Sequence, residues 1–320
     1  METVLYECDD ISRDDMMNIY GSPENVRIFR GAIRERYREK KLTTYPKKRI
    51  VMASKRGIIV KGFDPVIREL TLEEQTKQKY NIPFAAILVQ KWGYGFYHFV
   101  NEMLPKILRI HEYNSKIPII TFYNETFIKG ILQYMGVTNP IIPYEGVGQY
   151  IVKNAILMTE TASGNPTPGD IDVIRKYIRP QIPPIEQDTI VLIYRREAQR
   201  SISNFEELYA GLKRRFPKEK FVVFGSMSFD ATVALFQGVK LIIGAHGAGL
   251  SNMLWGVKGT PVIEIFPATM VNACYWHLAW IMGNPHYSLA AKSSAPPLLN
   301  ITVDLEELSG VIMKAVPTFV

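Results

Sequence analysis

Strand-like and helical patterns alternate throughout the second half of this sequence. Apolar runs typical of strands are separated by segments with helical spacing: strands at 189–195, 221–225, 241–244 and 261–266, helices at 204–216 and 230–239, and a further helix in AGLSNMLWG. Parallel strands need long crossovers, which helices supply, so this order predicts a doubly wound parallel sheet. Such a sheet holds its ligand at the carboxyl ends of its strands.

The first half shows the same α/β character in a less regular order. Its patterns predict a hairpin at 49–62 with a Lys-Arg-Gly turn, strands at 84–90 and 117–123 and in IIPY and YIVKNAILM, and helices at 97–113 and 127–136. Pro105 lies inside the first of these helices and predicts a kink there. A last helix is predicted at 305–316.

A break between the two halves predicts two domains. Segment 161–188 is rich in proline, glycine and polar residues, the composition of an interdomain hinge. A chain of 320 residues is also longer than a single core normally supports. We therefore expect domains at 1–179 and 180–320, with the helix at 305–316 able to pack back on the first domain.

Composition excludes several classes of protein. The chain is 47% hydrophobic, enough for a large core, and its two cysteines, Cys8 and Cys274, predict neither a disulfide framework nor a zinc site. We find no signal-peptide pattern and no apolar run of about 20 residues, so we expect no transmembrane segment and a cytoplasmic protein. The net charge is +7, but the basic residues are interspersed with acidic ones and form no motif with aromatic residues. This pattern argues against nucleic-acid binding.

The sequence LIIGAHGAGLSNMLW, at 241–255, predicts an anion site. An apolar strand runs into a turn of small residues, Gly244 to Gly249, and then into a helix, so backbone N–H groups and the positive end of a helix converge. A diphosphate fits such a turn, although its spacing is neither GxGxxG nor that of a P-loop. The alternative is a tight turn whose glycines serve packing alone, but His246 supplies a polar side chain that packing does not require.

Polar residues next to neighbouring strands are predicted to join this turn. Arg195 and Arg200 follow the strand at 189–195, and guanidinium groups suit phosphate oxygens, whereas Arg196 is assigned only to solvating its loop. Glu264 lies near the end of the strand at 261–266, where a carboxylate commonly holds ribose hydroxyls, a structural salt bridge being the alternative. The loop at 225–229, which contains Ser226, lies where the nucleobase of a bound nucleotide is expected.

In the first half, His98 and Glu102 stand four residues apart and so share one helix face. Either side chain has the chemistry of a general base for a hydroxyl group, and an ordinary ion pair is the alternative. The sequence Asp170-Ile171-Asp172 opens a predicted helix, so we assign it to capping rather than to metal binding. We predict no metal site, and we interpret His111, His277 and His286 as structural or surface residues.

Three blocks of the sequence together resemble glycosyltransferase family 61. They are the segments at 97–107, 193–208 and 244–267, in the order in which that family carries them. The family includes plant β-xylosyl- and arabinosyltransferases and animal protein O-linked N-acetylglucosaminyltransferases, and similar domains occur in large algal viruses. The resemblance implies a GT-B architecture, with two Rossmann-like domains facing across a cleft. It further implies an inverting transfer from a UDP-sugar to a hydroxyl of a glycan or glycoprotein, with no cofactor or essential metal.

The resemblance also implies roles for individual residues. Arg195 and Arg200 would bind the diphosphate and Glu264 the ribose, while the cradle around the diphosphate would consist of His246, Gly247, Ala248, Gly249, Leu250, Ser251 and Asn252. His98 and Glu102 would face the acceptor, and which of them is the base stays open. UDP-xylose is the first expectation for the donor. A non-catalytic protein that binds a nucleotide-sugar or glycan is the alternative, and the low cysteine content favours a cytosolic, viral or microbial setting.

Overall fold

The protein is described by a computed structural model over residues 18–22, 24–25, 50–61, 64–67, 80–144, 150–158, 163–179, 185–195 and 199–317. Two compact units divide the chain, the first formed from within 45–178 and the second from within 4–44 and 179–320. Each unit has its own sheet. The α/β class and the pair of Rossmann-like units expected of a GT-B fold are therefore confirmed.

The first unit contains a six-stranded sheet in the order β3-β2-β7-β4-β5-β6. Its strands are β2 (Ile50–Lys61), β3 (Asp64–Ile67), β4 (Tyr80–Ile87), β5 (Ile119–Thr121), β6 (Ile141–Pro143) and β7 (Tyr150–Met158). Strands β7, β4, β5 and β6 run parallel to one another, while β2 is antiparallel to both of its neighbours.

The helices described in the first unit lie between β4 and β6 or follow β7. They are α1 (Phe96–His98), a π-helical turn (Phe99–Met103), α2 (Leu104–Tyr113), α3 (Ile128–Tyr134) and α4 (Pro168–Lys176). The apolar residues predicted to face the core at 97–113 are buried, including Phe99, Met103, Ile107 and Ile110. A π-helical turn immediately precedes α2, next to Pro105, where the sequence predicts a kink.

The second unit contains a seven-stranded sheet in the order β1-β12-β11-β10-β8-β9, with β13 beside β12. Its strands are β1 (Asn18–Gly21), β8 (Thr189–Ile193), β9 (Lys220–Phe224), β10 (Val239–Ala245), β11 (Val262–Pro267), β12 (His286–Ser293) and β13 (Ile301–Thr302). All of its pairings are parallel except that of β13, as the alternation of strands and helices predicts.

The strand order has one switch point, between β8 and β10. From β8 the chain moves outward to β9, then returns to the other side of β8 and continues through β10, β11 and β12. Helices leave adjacent strands toward opposite faces at such a point, which opens a crevice at the carboxyl ends of the two strands. The residues that follow β8 and β10 are therefore the ones expected to hold a ligand.

The longer helices described in the second unit are α5 (Phe205–Arg215), α6 (Phe229–Gln237), a 3₁₀ helix (Ala248–Trp255), α7 (Cys274–Met282) and α8 (Leu305–Ala315). Leu308 and Ile312 of α8 lie in the same buried cluster as Ile190, Leu241 and Ile263 from the sheet. The terminal helix thus packs within its own unit. A contact between this helix and the first domain stays a prediction.

Three local predictions need correction. Residues 50–61 form one strand rather than a hairpin, since the register against β7 shifts between Ser54 and Ile58, and β2 reverses into β3 after Lys61 instead. Glycine marks bulges as well as turns, which explains the error. Strand β1, assigned to the first domain by the 1–179 boundary, pairs with β12 in the second sheet. The helix predicted in AGLSNMLWG is a 3₁₀ helix.

Candidate active site

The turn after β10 closes tightly on the end of β8, and its glycines allow this. A Cβ atom on Gly244 would lie 3.0 Å from Cβ of Ile193, and one on Gly249 would lie 2.6 Å from Cγ2 of the same side chain. A Cβ atom on Gly247 would lie 1.9 Å from Nη1 of Arg195. Packing therefore accounts for Gly244 and Gly249, while Gly247 leaves room for a guanidinium group.

Arg195 is held against this turn. Its Nη1 donates a hydrogen bond to the carbonyl oxygen of His246, 3.0 Å away. Burial lowers the pKa of Arg195, and the nearby charge of Arg200 lowers it further. Neither guanidinium group forms an ion pair with a carboxylate of the described residues. Two like charges at one place favour a bound anion, because an anion relieves their repulsion.

Arg200 is fixed in an unusual conformation at this place. Its φ is 64°, in the left-handed region, and its backbone N–H donates to the carbonyl oxygen of Leu298 at 2.8 Å. Its Nε is buried and makes no hydrogen bond within the described structure. Strained residues and unsatisfied buried donors cluster where a ligand completes a site. Arg195 and Arg200 are thus brought together as predicted.

His246 belongs to a buried chain of three side chains. Its Nδ1 lies 2.5 Å from Oε1 of Glu264, and the other carboxyl oxygen of Glu264 lies 2.8 Å from Nε2 of His286. Glu264 is completely buried, and both histidines are nearly so. The register explains the meeting, since β12 begins at His286 beside β11, which carries Glu264. His286 was predicted to be a structural or surface residue, and its contact with Glu264 was not predicted, because no spacing along the chain reveals a partner on the neighbouring strand.

Burial determines the protonation of Glu264 and His286. It raises the pKa of Glu264 well above 4.5, against the opposing charge of Arg200, and lowers the pKa of His286 from 6.5 to about 3. A protonated carboxyl group donates from one oxygen and accepts at the other, which satisfies two neutral imidazoles. The native pair thus holds one proton from about pH 3 to well above pH 4.5. The unfolded pair holds two protons below 4.5, one between 4.5 and 6.5, and none above 6.5.

Aromatic rings enclose the imidazole of His246. The ring of Phe266 stacks on it with centroids 5.1 Å apart, and Tyr275 meets it edge-on at the same distance. Burial raises the pKa of Tyr275 well above its usual value, so its hydroxyl group remains protonated. The side chain of His246 is therefore fixed from three directions, and its backbone carbonyl in turn fixes Arg195.

The remaining residues predicted for the donor site fall into three groups. Leu250, Ser251 and Asn252 are buried in the 3₁₀ helix, where the Asn252 amide donates to the carbonyl oxygen of Gly249 and accepts from the indole of Trp255. Ser226 is exposed directly after β9. The N–H groups of Ala248 and Gly249 open the helix, the end at which backbone donors lack partners within the helix. Contact of any of these residues with a ligand stays a prediction.

The ribose contact predicted for Glu264 also stays a prediction. Its two oxygens already contact His246 and His286. Because Glu264 is also completely buried, a ribose would reach it only if one of the surrounding side chains moved.

The second candidate group lies in the first unit, around Glu102. Its carboxylate is completely buried and accepts hydrogen bonds from the amide of Gln90 at 2.5 Å and from the backbone N–H of Gly164 at 2.9 Å. Nδ1 of His98 lies 3.0 Å from both carboxylate oxygens. When Glu102 is a carboxylate and the His98 imidazole is neutral, Nδ1–H donates to Glu102 and Nε2 of His98 keeps its lone pair. About a quarter of the His98 side chain is exposed, at 26%.

A buried lysine extends this network. Nζ of Lys106 donates to Oε1 of Gln90 at 2.5 Å, and this fixes the amide so that its nitrogen faces Glu102. Gln90 lies shortly after β4, and no role was predicted for it from the sequence. His98 and Glu102 thus meet as predicted, and the network of Gln90 and Lys106 gives the carboxylate one fixed position.

The π-helical turn presents these residues. Pro105 lacks an N–H group, and its ring clashes with the carbonyl group four residues earlier, that of Asn101. The helix widens at Phe99–Met103, and the Asn101 amide donates to the carbonyl oxygen of Tyr97 at 2.8 Å. Such widened turns commonly occur at functional sites.

The Asp170-Ile171-Asp172 sequence caps a helix, as predicted. Thr167 and Asp170 form a reciprocal capping box at the start of α4, and Arg109 donates to Oδ1 of Asp170 at 2.6 Å. Within the described ranges, no three His, Cys, Asp or Glu side chains are grouped as a metal site would require.

None of the helices in the described residues combines the length and apolarity that crossing a membrane requires. Arg196, predicted to solvate its loop, and Cys8 lie outside the described residues, while Cys274 is buried.

Comparison with known proteins identifies one family. The family model described as Glycosyltransferase 61 matches residues 96–263, slightly more than half of the chain. The match begins at α1, beside His98, and extends into β11, so it includes most of both candidate groups but not Gln90, Glu264 or His286. No curated protein matches the chain.

Proposed function

Because the chain belongs to glycosyltransferase family 61, we propose that it moves a sugar from a UDP-sugar to a hydroxyl group of a glycan or glycoprotein, with inversion at the anomeric carbon. The observation that supports the donor most strongly is the arginine pair at the switch point of the second sheet. Arg195 and Arg200 have no carboxylate partner among the described residues, and a diphosphate carries the complementary charge.

In the proposed donor complex, each group stabilises charge that develops as the sugar leaves. The bond between the anomeric carbon and the phosphate oxygen breaks, and its electron pair leaves with UDP. The two guanidinium groups and the N–H groups at the start of the 3₁₀ helix face this charge. Fixed donors of this kind stabilise a transition state without reorganising, as a divalent cation would in other sites. Glu264 acts through His246, whose carbonyl oxygen positions Arg195.

We assign the general base to His98. Its Nδ1–H is engaged by Glu102, so Nε2 takes the proton from the acceptor hydroxyl as the oxygen attacks the anomeric carbon. Glu102 is completely buried and already accepts from Gln90 and Gly164, which makes it a positioning residue for His98. Attack from the side opposite the departing phosphate gives inversion. Xylose is our first expectation for the transferred sugar.

The proposal is tested by incubating the enzyme with UDP-xylose, UDP-arabinose and UDP-N-acetylglucosamine and measuring UDP release with and without glycan acceptors. We expect acceptor-dependent UDP release with one of these donors, and a product whose anomeric configuration, read by NMR, is opposite to that of the donor. Retention of configuration would contradict the base mechanism. A donor built on another nucleotide would contradict the UDP assignment, and binding without UDP release would identify a non-catalytic protein.

Two variants distinguish the base from the residue that positions it. His98→Ala removes the base and is expected to lower kcat by roughly 10²–10⁴-fold. Glu102→Gln keeps an oxygen that accepts from Nδ1–H, so we expect a smaller loss and a shifted pH profile for kcat. If Glu102→Gln lost as much activity as His98→Ala with no change in the pH profile of the remainder, Glu102 would itself be the base.

A further inference from the structure

Two large aromatic side chains are exposed on the segment between β4 and α1. Trp92 is 47% exposed and Tyr94 is 51% exposed, and their ring centroids lie 6.3 Å apart. Tyr94 rests edge-on against Phe122 at 6.0 Å, and Phe122 in turn packs edge-on against Tyr144 at 5.5 Å. Phe122 and Tyr144 are buried. The two outer rings, which we call the aromatic platform, therefore stand on a fixed aromatic base.

The backbone of the platform is strained to present these rings. Trp92 has a φ of 68°, in the left-handed region that bulky side chains avoid. Tight turns hold it there, since the N–H of Gly93 donates to the carbonyl oxygen of Gln90 at 3.1 Å and the N–H of Gly95 donates to that of Trp92 at 2.8 Å. An exposed tryptophan in such a conformation contributes little to folding, which points to a role in binding.

The segment that carries the platform lies close to the proposed base. A Cβ atom built on Gly95 would lie 3.4 Å from the backbone carbonyl oxygen of Trp92 and 3.9 Å from Cδ2 of His98, so the backbone of this segment and the imidazole both border Gly95. Gln90, which begins the turn, donates through its side chain to Glu102. The position of the platform is thus coupled to that of the His98–Glu102 pair.

We propose that Trp92 and Tyr94 form an acceptor subsite that stacks against a pyranose ring, so that the acceptor presents a glycan, rather than a bare polypeptide, to His98. One face of a pyranose carries C–H groups with slight positive charge, and these are attracted to the negative face of an aromatic ring. Its hydroxyl groups lie at the rim and stay solvated. Nζ of Lys91 lies over one face of the Trp92 ring, 5.2 Å from its centroid, so the sugar would stack on the opposite face of that ring.

This inference rests on the glycosyl transfer proposed above, and its test separates the two. The full-length enzyme is titrated with xylotriose, chitotriose and mannotriose by saturation-transfer NMR, and separately with UDP by calorimetry. The variants are Trp92→Asn, which tolerates the left-handed backbone but has no ring, Tyr94→Ser, and Trp92→Tyr, which retains an aromatic ring. Tyr113→Ala is the matched control, because Tyr113 is 67% exposed at the end of α2, outside the platform.

We expect at least one trisaccharide to bind the wild-type enzyme and to bind Trp92→Asn and Tyr94→Ser roughly tenfold more weakly. Trp92→Tyr should retain most of the affinity, and Tyr113→Ala and all UDP affinities should be unchanged. Failure of every trisaccharide to bind, or equal binding by Trp92→Asn, would overturn the subsite. If the platform variants bound the trisaccharides normally but no longer self-associated, the aromatic platform would instead be an interface between two copies of the protein. Failure of UDP to bind the wild-type enzyme would count against the proposed function but not against the subsite.

Discussion

Replacing Gly247 by alanine displaces Arg195 without changing the backbone. Gly247 has φ 166° and ψ 168°, an extended conformation that alanine adopts freely. The new Cβ would lie 1.9 Å from Nη1 and 2.9 Å from Cζ of Arg195. Ordinary contact requires about 3.5 Å, so the guanidinium group has to retreat by roughly 1.5 Å. It ends a flexible side chain, so the fold should accommodate the change.

The displacement removes the hydrogen bond from Arg195 to the carbonyl oxygen of His246, which is 3.0 Å long in the native enzyme. A catalytic group misplaced by about 1 Å loses activity on the order of 10²-fold, which corresponds to about 2.7 kcal/mol of transition-state stabilisation. We therefore expect kcat/KM for UDP release to fall by roughly two orders of magnitude in Gly247→Ala, with little change in Tm.

The assay is steady-state UDP release at several donor concentrations, with Tm measured on the same samples. Gly310→Ala serves as the matched control, because a Cβ atom there meets nothing within 4 Å. It should leave kcat/KM unchanged. If Gly247→Ala kept normal kcat/KM, the position of Arg195 against the turn would be irrelevant to the reaction, and the reasoning would be refuted.

Three predictions concern stability. Gly310→Ala should raise the free energy of unfolding in urea by about 1 kcal/mol, because alanine favours the helix more than glycine; a decrease would mean that the site is not open. Thr167→Ala should lower it by about 1 kcal/mol through loss of the cap on the N–H of Asp170, and an unchanged midpoint would contradict the capping role. The Glu264–His286 pair should lose about 1.4 kcal/mol of stability per pH unit on the acid side, as pH falls from 4.5 toward 3, because only the unfolded pair takes up a second proton there. His286→Gln should abolish the acid side of this dependence, and a retained acid side would show that the pKa of His286 is not lowered.

The second sheet could be predicted because each of its central elements carries its own signal. Strands β8 to β11 are short apolar runs, and α5 and α6 have clear helical spacing. Strand β1 could not be placed, because its partner lies more than 260 residues away in sequence. Helix α7 was not predicted either, since CYWHLAWIM is apolar on all sides and has no helical pattern.

The candidate residues show the same limit. The meeting of His98 with Glu102 follows from a spacing of four residues on one helix, and the sequence predicts it. The contact of Glu264 with His286 depends on which strand lies beside β11, and Gln90 reaches Glu102 from the end of a different strand. Partners that only tertiary structure brings together decide whether a carboxylate is a base, a ligand contact or a positioning residue.

Calorimetric titration with UDP tests the central claim most directly. Arg195→Ala and Arg200→Ala should each bind UDP roughly tenfold to a hundredfold more weakly than the wild type, since each removes hydrogen bonds to a charged group. Arg196→Ala, at the position predicted only to solvate its loop, should bind UDP normally. Normal UDP affinity in both Arg195→Ala and Arg200→Ala would contradict the assignment of the diphosphate to the crevice between β8 and β10.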